Sequence, residues 1–250
     1  MERVVAGNWK MHHGPSATRA FFRDFQPDLG AAPPTLIVFP PALSLAAAVE
    51  SRGGRPEVAL GVQNLHWEPK GAFTGEISAS MALEAGARYA LVGHSERRHI
   101  FGETDEHVAR KVRSAALEGL TPVICVGETL DERRAGRVDE VVLRQLHSAL
   151  EGLSETPGKR FLVAYEPVWA IGTGETATPE DASAAHGTLR RALHAALGAE
   201  WAQRVPLLYG GSVKPENARG LLEADDVDGV LVGGASLDPA SFAAIAEAAL

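Results

Sequence analysis

Cysteine is almost absent from this 250-residue chain, where Cys125 stands alone. One thiol excludes an internal disulfide and any cysteine-rich metal site, and it suits a reducing compartment. Cations are the minority, with 24 Lys+Arg against 32 Asp+Glu and a net charge of −8. An acidic surface disfavours nucleic acid and anionic membranes as general partners, although a pocket can still set its own field for a small anion. Long apolar runs are missing as well. The best, residues 42–49, falls far short of the ~18 residues that read as a membrane span. Met1-Glu2-Arg3 leads into the short run Val4-Val5-Ala6, which is no signal peptide. These absences predict a cytoplasmic protein with no membrane contact.

Several motifs are also lacking. No GxGxxG follows a strand-like run, no serine sits in a nucleophile-elbow context, and no histidine pair has metal-ligand spacing with Cys or acid partners. His12 and His13 are adjacent and cannot easily face one ion. The expectation is therefore no metal and no cofactor. There is no low-complexity segment, and no linker divides the chain, so residues 1–250 read as one domain.

What is present is a rhythm. Short apolar runs recur at residues 3–6, 36–39, 58–62, 89–92, 122–126, 161–165, 206–209 and 229–232. Runs so short and so uniformly apolar suit strands buried on both faces of a parallel sheet. Between them lie stretches with helical spacing, at 17–25, 106–117, 140–150 and 182–197. In the second, Val108, Val112, Ala115 and Ala116 share a side, and Arg110, Lys111 and Arg113 take polar positions. Thr104, Thr178 and Asp238 read as helix caps, the last two followed by proline. Eight βα units predict an α/β fold, a single (β/α)8 barrel with eight parallel strands ringed by helices.

The unusual residues cluster just after the runs. They are Asn8, Trp9 and Lys10; Gln63 and Asn64; His94, Ser95 and Glu96; Cys125, Gly127 and Glu128; Glu166; Gly210, Gly211 and Ser212; Gly233 and Gly234. In such a barrel these positions converge on the mouth where active sites lie. Glycines at the seventh and eighth strand ends suit a phosphate, because barrels often bind one there through backbone N–H groups.

Gly7-Asn8-Trp9-Lys10, Gly93-His94-Ser95-Glu96-Arg97-Arg98, the eleven residues from Ala164 to Gly174, Tyr209-Gly210-Gly211-Ser212-Val213 and Leu231-Val232-Gly233-Gly234-Ala235-Ser236-Leu237 resemble the signature segments of the triosephosphate isomerase family. Gly71-Ala72-Phe73-Thr74-Gly75-Glu76 and Cys125-Val126-Gly127-Glu128-Thr129-Leu130 match as well. The matches run in order from residue 7 to residue 237.

The resemblance implies interconversion of dihydroxyacetone phosphate and glyceraldehyde 3-phosphate through an enediolate, in glycolysis and gluconeogenesis. Glu166 would be the base and His94 a neutral imidazole that polarises the carbonyl. That family is itself a standard illustration of pKa tuning, and the lowered histidine pKa, aided by the helix beginning near Ser95, comes with the resemblance. Lys10 would offset the negative charge, Asn8 would donate a hydrogen bond, and Glu96 would support both Lys10 and His94. Substrate contacts would come from Asn8, Trp9, Lys10, Gly172, Ser212, Gly233 and Gly234. Residues 167–176 would close as a lid. The family pattern also implies a homodimer through the 71–76 loop, with Thr74 reaching the neighbouring site and Glu76 pairing with Arg97 across the interface. Two departures stand out: Glu175 where the family commonly has Lys, and His12 where it often has Asn. Cys125 reads as a buried small hydrophobe, the other histidines as structural or solvated, and Arg133-Arg134 as a solvated helix face. A lyase using Lys10 as a Schiff base is the competing enzyme, and a decayed scaffold that only binds is the competing non-enzyme.

Overall fold

The computed structural model describes residues 2–55, 57–154, 160–171 and 177–250. Along them run β1 (Val4–Asn8), α1 (Pro15–Asp24), β2 (Thr35–Phe39), α2 (Leu45–Arg52), β3 (Val58–Val62), α3 (Ala79–Glu84), β4 (Tyr89–Val92), α4 (Ser95–His99) and α5 (Asp105–Glu118). There follow β5 (Thr121–Val126), α6 (Leu130–Arg134), α7 (Val138–Glu151), β6 (Leu162–Tyr165), α8 (Pro179–Leu197), α9 (Ala199–Ala202), β7 (Leu207–Tyr209), α10 (Pro215–Leu222), β8 (Gly229–Val232) and α11 (Pro239–Glu247). Each strand pairs in parallel with the next, and β8 closes on β1. The result is the expected closed eight-stranded barrel ringed by helices.

The uniform apolarity of the strands has a simple cause. Val4, Ala6, Ile37, Phe39, Leu91, Val123, Leu162, Ala164 and Leu208 fill the barrel interior as one cluster. Their alternate neighbours Val5, Leu36, Val38, Ala90, Val92, Ile124 and Val163 belong to a second cluster, beneath the helices. A strand with apolar layers on both sides has no polar face to show.

Helix starts follow local chemistry. Thr104, Thr178 and Asp238 accept the backbone N–H groups of His107, Asp181 and Ser241, which satisfies donors that a first turn leaves open. Lys111 departs from expectation. Its side chain is buried and held by Glu103 and by Asn64 Oδ1 at 2.7 Å. It points inward because that buried carboxylate meets its charge, as a buried ammonium requires. No helix among the described residues is long and apolar enough to cross a membrane.

Candidate active site

β1 extends two residues past its apolar run, so Asn8 is its last residue and Lys10 follows in the loop. Lys10 has φ +50°, a conformation disfavoured for a residue with a Cβ. Its backbone is held there from both sides. Asn8 Oδ1 accepts the Lys10 N–H at 3.0 Å, and Gln63 Nε2 donates to the carbonyls of Lys10 and Phe39, both at 2.8 Å. The Lys10 ammonium then reaches Glu96 Oε1 at 2.7 Å.

β4 delivers His94, which caps α4 by accepting the Glu96 N–H on Nδ1 at 3.2 Å. An accepting Nδ1 leaves the ring proton on Nε2. Nε2 faces Glu166 Oε1 at 2.9 Å, and the other Glu166 oxygen accepts the Ser95 N–H at 2.9 Å. Glu166 follows β6 and, like His94, is almost wholly buried. Burial alone would raise its pKa. His94, the Ser95 N–H and Lys10 outweigh that and hold the carboxyl below its ordinary value. For His94, burial lowers the pKa, but Glu166 and Glu96 outweigh it and the net direction is upward. The expected lowering by a helix end does not prevail here. α4 is only five residues long, and a carboxylate within hydrogen-bond distance exceeds so short a dipole.

Asn8, Lys10, His94, Glu166, Ile171, Gly210, Gly211, Leu231 and Gly233 line one cavity of about 30 Å³ at the carboxyl ends of the strands. Ser212 and Gly234 lie one residue past Gly211 and Gly233. A larger cavity of about 460 Å³ lies outside the barrel near Trp67, Arg110 and Leu117, remote from this constellation. Trp9 needs correction. It does not line the mouth but is buried among His13, Phe21 and Phe22, with its indole N–H on the Ser236 carbonyl. An aromatic one residue past a strand end turns outward to the helix layer, where a large ring finds apolar partners. Gly172 and Glu175 fall outside the described residues.

The match of a family model for triosephosphate isomerase to residues 3–249 spans every strand of this barrel. The chain belongs to the triosephosphate isomerase family. It is 50% identical over 247 residues to the triosephosphate isomerase of Symbiobacterium thermophilum, covering 98% of this chain and 96% of the relative. Identity is 47% over 243 residues to that of Solibacter usitatus, at 97% of each chain. It is 48% over 247 residues to that of Herminiimonas arsenicoxydans, at 99% of each. The family's reaction is the interconversion of dihydroxyacetone phosphate and glyceraldehyde 3-phosphate, and the triose phosphate is its substrate.

With the family in hand, the segment after Glu166 gains meaning. Val168–Ala170 form a single 3-10 turn. Buried Glu128 holds it, accepting the Trp169 indole N–H at 2.8 Å, the Tyr165 hydroxyl at 3.1 Å and Arg133 Nη1 at 3.2 Å. Arg133 also covers the Trp169 ring, 4.4 Å from its centre, and pairs with Asp181 at the start of α8. It is therefore no solvated helix residue. Sequence reasoning singled out Glu128 and Ser95 without these roles, and it gave Ile171 and Leu231 no individual place in the site. The inward position of Leu231 at the end of an apolar run was the available signal for one of them.

Proposed function

We propose that Glu166 is the base of the isomerisation, that His94 polarises the substrate carbonyl through Nε2–H, and that Lys10 offsets the charge of phosphate and enediolate. The contact between His94 Nε2 and Glu166 Oε1 at 2.9 Å carries this reading. An acid and an imidazole from different strands face one another over a buried cavity that also contains the ammonium. Nothing fits between groups that close, and about 30 Å³ holds little more than one water. Glu166 must therefore leave His94 and the Ser95 N–H before substrate is seated. That departure has two consequences. The carboxylate loses two of the groups that depress its pKa, His94 and the Ser95 N–H, and becomes a stronger base. The imidazole loses the nearer of the two anions that raise its own, while the Glu96 N–H still occupies Nδ1, so it donates as a neutral ring.

Asn8 adds a donor beside Lys10, and Glu96 orients the ammonium. Backbone N–H groups near Ser212, Gly233 and Gly234, with Gly172 from the lid, receive the phosphate. The reaction moves one proton between neighbouring carbons and one between their oxygens, which Glu166 and His94 can do without a cofactor. The ion pair of Lys10 with Glu96 suits charge compensation better than a Schiff base, which needs the free amine. Proton exchange at the carbon beside the carbonyl of dihydroxyacetone phosphate tests the reading. Glu166→Gln should lower kcat by at least ~10²–10⁴-fold. An unchanged rate overturns it.

We further propose one catalytic domain and a cytoplasmic homodimer. The 71–76 loop carrying Thr74 is exposed, and so are Met11, Leu43, Phe73, Ile100 and Phe101. So many exposed large apolar side chains suit an interface. Arg97 is engaged within its own chain by Glu103 at 2.6 Å, so a bond from Glu76 of a second copy would join an existing pair.

A further inference from the structure

Gln145 sits on the buried face of α7 among Val141, Val142, Leu146 and Ala149. A leucine would pack in that place, and a buried amide is costly unless its groups find partners. Both partners belong to a single residue. Gln145 Oε1 accepts the Gly127 N–H at 2.7 Å, and Nε2 donates to the Gly127 carbonyl at 3.3 Å. The need for this clamp lies in the sheet. Pairing of β5 with β6 ends at Val126 and Tyr165, and pairing of β5 with β4 ends at Ile124 and Val92. Gly127 is the first residue beyond the ladder, and although the chains on either side still bond, through Glu166 N–H to Val126 and Val168 N–H to Glu128, its own polar groups must be met from elsewhere.

Gly127 also abuts the base. A Cβ placed on it would lie 1.7 Å from the Glu166 carbonyl oxygen, so no other residue fits while the two main chains touch. On the far side, a Cβ on Gly210 would come within 3.0 Å of Glu166 Cγ. Glu166 thus lies between two glycines, its carbonyl against Gly127 and its Cγ against Gly210, and Gln145 holds one wall.

We infer that Gln145 is a positioning residue for the isomerisation: by clamping Gly127 it fixes the main chain from which Glu166 swings between Ser95 and the substrate. The inference rests on Glu166 being the base. Holding the peptide confines that swing to side-chain torsions, and displacements near 1 Å at a reacting group can cost about 10²-fold in rate. Gln145 touches neither substrate nor base, so it affects the rate only through Gly127.

Gln145→Met keeps the volume and removes both hydrogen bonds. It should lower kcat by about 10- to 100-fold while KM for dihydroxyacetone phosphate and the inhibition constant of inorganic phosphate stay within about twofold. Gln145→Glu is the conservative partner. Its carboxylate still accepts the Gly127 N–H but can donate to the Gly127 carbonyl only when protonated. Its activity relative to wild type should therefore fall from about pH 5 to about pH 9, which a packing defect would not do. A folded Gln145→Met with wild-type kcat overturns the inference. If that variant does not fold, a pH-independent ratio for Gln145→Glu overturns it instead. Glu166→Gln, assayed in parallel, separates the two failures. Full activity there removes the base, whereas loss there with an unaffected Gln145→Met removes only the clamp.

Discussion

His186 touches nothing in the chemistry, yet it is a side chain through which acid reaches the fold. It is fully buried on α8, with Nδ1 on the Asp226 carbonyl at 3.0 Å. Burial pushes its pKa down from 6.5 to about 4, and the nearby Arg190 adds to the effect. The unfolded chain takes up the proton first, so His186 destabilises the fold progressively as pH falls from 6.5 towards 4. The loss by pH 4 is on the order of 3 kcal/mol. His186→Gln, which can still donate to Asp226, should flatten the fall in urea-unfolding free energy over that window. A variant as acid-sensitive as wild type would show that other groups govern it. The linkage has the same sign at Glu166, whose carboxyl is also held below its ordinary pKa, so the stability its partners confer is likewise lost as pH falls.

Among the elements, α8 matters most to the mouth, because its first turn is tied through Arg133 to the turn after Glu166. Thr178 accepts the Asp181 N–H, and the Asp181 carboxylate accepts the Thr178 N–H at 3.0 Å and also pairs with Arg133. Arg133 in turn reaches Glu128 and covers Trp169. One capping box therefore ties the helix to the turn just past Glu166. Thr178→Ala should cost about 1 kcal/mol and lower the melting temperature by about 2–4 °C, read by calorimetry. No change in melting would mean that water replaces the cap at no cost.

Across the whole molecule, several large apolar side chains stay exposed. The exposed apolar side chains lie near the ends of β1, β2 and β4 and on the 71–76 loop. Sedimentation should give twice the chain mass. Thr74→Arg places a charge at the loop tip and should yield monomers that have lost at least about 10-fold in kcat, because site side chains lose their support from the second copy. Fully active monomers would remove the dimer from the mechanism.

Much was legible beforehand. The eight strands stand within two residues of the apolar runs, because double burial leaves an unbroken apolar signal. The helix starts at Thr104, Thr178 and Asp238 were readable because a cap is a local bond. Asn8, Lys10, His94 and Glu166 stood out as polar residues at the ends of apolar runs, and the structure brings them around one cavity. Local order along the chain thus determined the class of fold and the end at which chemistry sits. Other matters were decided only in three dimensions. Trp9 turned outward, Lys111 turned inward, Arg133 joined the turn after Glu166, and Gln145 found a glycine 18 positions away. So did the pairing of His94 with Glu166, which sets both pKa directions. Spacing encodes periodicity and caps, but a buried polar group takes its partner from whichever element the closed barrel brings against it.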